Sequence, residues 1–187
     1  MTQGMNDVNL EKLKETDSAI RQNPGLEKLT VKARSKWCRG TTTEVTLSEW
    51  TAGGQRMTAP ARRFTITVDE PAELGGGDRA PFPPEVLLAA LAGCVTNATV
   101  TNAALFDVPV DAVEMELEAH VDARGFLGHD KSVRNGITDI NYTITIQSPA
   151  PEAKVRRCKE TIDRKSAIRD TLENPVKITS KFVYKPS

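Results

Sequence analysis

The chain has 187 residues, and its 25 lysines and arginines balance its 25 aspartates and glutamates. This length suits one domain with a full core, with room for a short appendage. The charge balance leaves no basic footprint for nucleic acid or anionic lipid, and the pairs Arg62/Arg63 and Arg156/Arg157 read as solvated faces.

No apolar stretch approaches the ~18 residues that a membrane span needs. The opening "MTQGMNDVNLEK" has none of the features of a secretory signal. Cys38, Cys94 and Cys158 are far apart, without CxxC spacing, as expected of free thiols in a reducing cytoplasm.

Residues 7–22, "DVNLEKLKETDSAIRQ", read as an amphipathic helix that "NPG" stops. A polar helix of this length needs a surface to dock on, so residues 1–25 are expected to form an N-terminal extension of a domain spanning 26–187. Period-two alternation follows: Leu29, Val31, Ala33 and Trp37 against Thr30, Lys32, Arg34 and Lys36, then Phe64, Ile66 and Val68. These are expected half-buried strands, with "TTTEVTL" at 41–47 as another between them.

After the loop "GGGDRAPFPP", residues 83 to about 106 read as a helix that tolerates proline in its first turn. A strand follows with Val113, Met115, Leu117, Ala119 and Val121 on one face and Glu114, Glu116, Glu118 and His120 on the other. The next holds Ile140, Tyr142, Ile144 and Ile146. Residues 151–173 are expected to be helical, broken near Ser166, with Val155, Cys158, Ile162 and Leu172 inward. A closing strand is expected from Val176 to about Tyr184. Strands in groups, each with a polar face, indicate an antiparallel α+β fold rather than alternating βαβ units.

Several motifs carry no chemistry. Gly75–Gly77 lack the Lys-Ser/Thr of a phosphate loop and read as a permissive turn. His120 and His129 have no partners at ligand spacing, so no metal site and no cofactor are expected. No GxSxG elbow exists, and the three glutamates on one strand face read as its wet side.

Cys94 stands apart. It lies about three turns into its helix, beyond the positive end of the macrodipole, so ionising it would require a cation from elsewhere in the fold. A small core residue is the simpler reading of such a cysteine. Against that, "AALAGC" permits close approach of a second helix or chain, and Thr96, Asn97, Thr99, Thr101 and Asn102 are unusually polar for a purely structural helix. Composition leaves both readings open.

"PFPPEVLLAALAGC" resembles the signature of the OsmC/Ohr superfamily. The resemblance continues through "LEKLTVKARSKWCRG", "HVDARGFLGHDKSVRNGITDI" and "RKSAIRDTLENPVKI", covering about residues 26–184. The N-terminal extension is similar to that of the longer OsmC-like proteins. The resemblance implies an intertwined homodimer, each subunit a curved antiparallel sheet wrapped around two central helices. It also implies thiol-dependent reduction of organic hydroperoxides at the dimer interface, as part of an oxidative stress response. In that chemistry one cysteine attacks the O–O bond and becomes a sulfenic acid, and a second condenses with it to a disulfide.

Carried onto this chain, the attacking cysteine is Cys94, and Arg39 is the candidate for the arginine that polarises it, with Arg34 as runner-up. Glu85 is the candidate glutamate, but it stands one residue nearer Cys94 than the family's position, which Pro84 occupies. One residue turns a helical side chain by ~100°. Ser166 stands at the position of the resolving cysteine.

Cys158, eight residues away in the same helix, would be displaced by ~12 Å, beyond the ~4.4–6.8 Å Cα separation of a disulfide. Cys38, beside Arg39, points the other way on an alternating strand. Three functions remain: a single-cysteine peroxidase resolved by an external thiol, a non-catalytic dimer binding a small apolar ligand, or a cysteine redox sensor.

Overall fold

The computed structural model describes residues 4–186. A short 3-10 turn at Met5–Asp7 precedes α1 (Leu10–Gln22), whose first turn is capped by Asn9 accepting the Lys12 N–H at 2.8 Å. The expected helix therefore begins three residues late. Asn9 and not Asp7 offers its side-chain oxygen to the orphan amides. No residue of α1 is buried. The extension docks instead through Asn6, whose amide donates to the Val108 carbonyl at 3.0 Å and accepts the Val110 N–H at 2.9 Å.

Strands β1 (Leu29–Arg39), β2 (Thr42–Ala52), β3 (Gln55–Arg56) and β4 (Phe64–Val68) form one antiparallel sheet. β2 pairs with β1 along one edge, and with both β3 and β4 along the other. The short β3, absent from the sequence reading, arises where Gly53 and Gly54 turn the chain with φ of 54° and 81°, backbone angles that glycine adopts without penalty.

The inward face expected of β1 is exposed within the chain: Val31 is 81% and Trp37 68% accessible. Alternation reports which side chains share a face, whereas burial depends on what covers that face. Among the described residues, β1 packs chiefly on β2, and its large apolar side chains stay exposed.

α2 (Pro83–Leu105) is the central element. Pro83 and Pro84 occupy positions where the amide would be unpaired anyway, and Glu85 accepts the Phe82 N–H at 3.0 Å, closing the first turn. By length and composition α2 could reach across a bilayer, contrary to the expectation that no such stretch exists. Its Leu91 and Val95 pack with Ile162, beside Met115, Leu117, Ile140 and Ile144, in the place of a core helix.

β5 (Ala112–His120) and β6 (Asp139–Gln147) form a second antiparallel pair, in register from Ala112 opposite Gln147 to His120 opposite Asp139. Glu114, Glu116 and Glu118 are exposed, as a wet face requires. A single-turn helix, α3 (Ala123–Phe126), lies in the connection. Two helices, α4 (Glu152–Lys165) and α5 (Ala167–Glu173), follow and meet at Ser166.

The closing strand does not form. Residues 175–186 pair with no strand among the described residues, and Ile178 and Phe182 are 86% and 87% accessible. A strand requires an edge to receive its amides and carbonyls, and neither sheet of the chain supplies one to this segment. The architecture is α+β with antiparallel sheets, as expected.

Candidate functional site

The sulfur of Cys94 and the hydroxyl of Ser166 lie 3.4 Å apart, joining α2 to the break between α4 and α5. Cys94 is half-buried and Ser166 is 2% accessible. The break follows from the backbone of Ser166, whose φ of −68° and ψ of 114° leave the helical region. Its amide still closes α4 on the Ile162 carbonyl at 2.9 Å, while its hydroxyl accepts the Arg169 N–H at 3.4 Å as the N-cap of α5. Ser166 is thus both the N-cap of α5 and a neighbour of Cys94.

A half-buried charge network holds the two helices together across this break. Arg169 reaches back from α5 to Asp163 of α4 at 2.9 Å and donates to the Tyr142 hydroxyl of β6 at 3.1 Å. Tyr142 donates to Asp163 at 3.0 Å, and Lys159 pairs with Asp163 at 2.5 Å. Burial works against the charged form of Asp163, but the hydrogen bonds from Lys159 and Tyr142 and the surrounding cations outweigh it and hold the carboxyl below its ordinary value. Burial, reinforced by Asp163, pushes the Tyr142 phenol up.

None of the other candidates makes a hydrogen bond to Cys94 among the described residues. Arg39 ends β1, and neither it nor Arg34 makes a side-chain hydrogen bond or ion pair among the described residues. The Glu85 carboxylate is engaged in closing the first turn of α2. Cys38 is exposed on β1. Cys158 is 2% accessible and packs with Ala103 and Val108, in a cluster separate from that of Leu91 and Val95. Burial pushes its thiol up.

The polar residues of α2 also have structural duties. Thr99 returns its hydroxyl to the Val95 carbonyl, and Asn102 donates to the Cys158 carbonyl, tying α2 to α4. Among the described residues, no group of three His, Cys, Asp or Glu is arranged to hold a metal ion.

Asp69 was not legible in the sequence as a key position. It is 1% accessible and accepts the Thr41 hydroxyl at 2.5 Å and the Glu70 and Arg79 amides at 3.0 and 3.3 Å. It links the turn that follows Arg39 to the loop that delivers α2. The only signal in sequence is an aspartate beside a glycine-rich loop, a common pattern. Within that loop Gly75 turns the chain with φ of 81°, and a side chain at Gly76 would collide with the Glu70 carbonyl.

A cavity of about 960 Å³ opens beside the start of α2. Phe82, Leu87, Leu91, Val121, Phe126 and Leu172 make much of its lining apolar. Leu91 lies one helical turn before Cys94, so the cavity ends near the thiol without including it.

The fold and site define an α+β protein whose central helix presents a cysteine to the break in a second helix. A family model described as OsmC-like protein matches residues 75–181, more than half of the chain, and the chain belongs to that family. Among solved structures it is similar to an OsmC-like protein from Mycoplasma pneumoniae, with a TM-score of 0.59 and 15% identity over 78% of this chain and 89% of that one. It is also similar to the organic hydroperoxide resistance protein OsmC from Legionella pneumophila, with a TM-score of 0.52 and 17% identity over 76% and 88%. At these identities the likeness shows the fold. No curated protein sequence matches the chain.

Proposed function

We propose that this chain is a thiol-dependent peroxidase that reduces organic hydroperoxides through Cys94 alone. The Cys94 thiolate attacks the terminal oxygen of R–O–O–H. An S–O bond forms as the O–O bond breaks, and the alkoxide takes a proton and leaves as ROH. Sulfur is oxidised to a sulfenic acid and the peroxide is reduced. An external thiol then displaces hydroxide, which leaves as water, to give a mixed disulfide. A second thiol releases Cys94 and carries away the new disulfide.

The observation that carries this reading is the 3.4 Å approach of residues 94 and 166, the two positions at which the family resemblance places the reacting thiols. With serine at 166 no intrachain disulfide can close there, so the reductant must reach Cys94 directly.

The active form in this proposal is a homodimer in a reducing cytoplasm. The exposed apolar side chains of β1 and of the unpaired C-terminal segment call for a cover that the single chain does not supply. A second copy would also provide the cation, with Arg39 of the partner subunit approaching Cys94. The test is turnover of cumene hydroperoxide with dithiothreitol, compared with hydrogen peroxide. Turnover that is selective for the organic substrate and lost in Cys94→Ala supports the reading, and an inactive native chain refutes it.

A second reading rests on the cavity, which is large and mainly apolar and does not include the thiol. In that reading the dimer binds a small apolar ligand without chemistry, and Cys94→Ser leaves the affinity intact.

A further inference from the structure

We infer that Ser166 is a hydrogen-bond donor to the Cys94 thiolate, supplied by the same chain and independent of any arginine. The argument is one of lone pairs and protons. A serine hydroxyl carries one hydrogen and two acceptor sites. One acceptor site of Ser166 takes the Arg169 N–H. Its hydrogen has a single available acceptor among the described residues, the Cys94 sulfur at 3.4 Å.

If the thiol donated instead, the Ser166 hydrogen would be left unpaired at a site 2% accessible to solvent, which is costly. Donation toward sulfur satisfies both groups.

The donor is also held in place. Arg169, whose amide caps onto Ser166, is anchored through its guanidinium to Asp163 and Tyr142. The Ile162 carbonyl receives the Ser166 amide from the other side. The hydroxyl is thereby fixed between two helices at the point where they meet α2. The residue that forfeits the disulfide retains a polar contact with the reacting sulfur, and the same hydroxyl remains beside any oxygen added to it.

This assignment draws its chemical use from the peroxidase reading but is tested apart from it. Ser166→Ala removes the hydroxyl. Ser166→Gly does so too, with a residue that is itself tolerated at an N-cap far better than alanine. Peptide-resolved alkylation of Cys94 by iodoacetamide is followed against pH in the full-length chain, with circular dichroism as the control for folding.

In both variants the rate at neutral pH is expected to fall severalfold, while the limiting rate at alkaline pH is equal to or above the native value. A lesion that closes access to the sulfur would instead lower the limiting rate. A neutral-pH rate equal to the native one in either folded variant overturns the assignment. Hydroperoxide turnover by the native chain is measured separately. Its absence, with the alkylation effect present, refutes the peroxidase reading and leaves the Ser166 donor standing.

Discussion

Asp69 and Thr41 are joined by a 2.5 Å hydrogen bond that spans 28 residues of sequence and ties the β1–β2 turn to the loop entering α2. The Thr41 hydroxyl, with the Arg79, Glu70 and Gly77 amides, holds the Asp69 carboxyl below the ordinary carboxylate range against the effect of burial. A carboxyl whose folded value is depressed contributes stability above its unfolded value, and that stability is lost as pH falls through the folded value. Asp69→Asn should therefore lower the melting temperature by roughly 5 °C near neutrality. The difference from the native chain should shrink in melts below about pH 4. A pH-independent difference would show that the charge of Asp69 is immaterial.

Ser166→Cys tests the placement of the two helices. A sulfur at this position would sit close to Cys94, since the present hydroxyl is 3.4 Å from it. Stoichiometric peroxide is expected to join residues 94 and 166 in a disulfide, seen as a cross-linked peptide pair in non-reducing digests. Persistent free thiols at both positions would mean that α2 and the helix break do not face each other in solution.

The alternation of β5 and β6 and the break at Ser166 were legible because each is written in adjacent residues. Side chains two apart share a face of a strand, and serine is a preferred cap for a following helix. Cover was not legible. Val31 and Trp37 alternate like core residues yet are exposed, and Ile178 and Phe182 alternate like a strand yet pair with nothing among the described residues. Local pattern records the face a segment presents and not the chain that covers it. Asp69 and Asn6 were missed for a related reason. Their partners, Thr41 and the 108–110 backbone, lie far away in sequence, and a single polar residue in a loop does not announce them.

The three cysteines should differ in reactivity. Cys38 is exposed, whereas Cys158 is buried and its thiol is pushed up by that burial. Only the thiolate is nucleophilic. Peptide-resolved alkylation of the folded chain at pH 8 should modify Cys38 at least tenfold faster than Cys158, and denaturant should abolish the difference. Equal labelling of both without denaturant would contradict the packing of Cys158 against Ala103 and Val108.

Asp163 is the shared acceptor of Lys159, Arg169 and Tyr142. Asp163→Asn would leave two cations facing a neutral amide, at a cost of about 1–3 kcal/mol measured by urea denaturation. The phenol supplies a second reading. Tyr142 is held above its ordinary value by burial and by Asp163, so in the native chain its ionisation, followed by ultraviolet absorbance, begins at more alkaline pH than in the variant. A group with a raised folded value stabilises below its unfolded value and loses that contribution as pH rises through the folded one. The tyrosine part of the effect therefore fades on the alkaline side, and the carboxylate part fades on the acid side. A variant as stable as the native chain at neutral pH would show that the network contributes nothing to the α4–α5 junction.

The C-terminal segment tests the proposed dimer. Val176, Ile178, Phe182 and Tyr184 are all exposed, as are Leu29, Val31 and Trp37 on β1. Leaving large apolar side chains in water on both segments is unfavourable, and a second copy would bury them together. Truncation after Asn174 removes one of these surfaces and leaves intact the core around Leu91, Val95 and Ile162. In sedimentation velocity the full chain is expected to run as a dimer and the truncated chain as a folded monomer. If Arg39 of the partner subunit supplies the cation, the monomer should also lose hydroperoxide turnover while Cys94 and Ser166 remain in contact. A full-length monomer that retains turnover would remove the need for a second copy and leave Ser166 as the hydrogen-bond partner of the sulfur among the described residues.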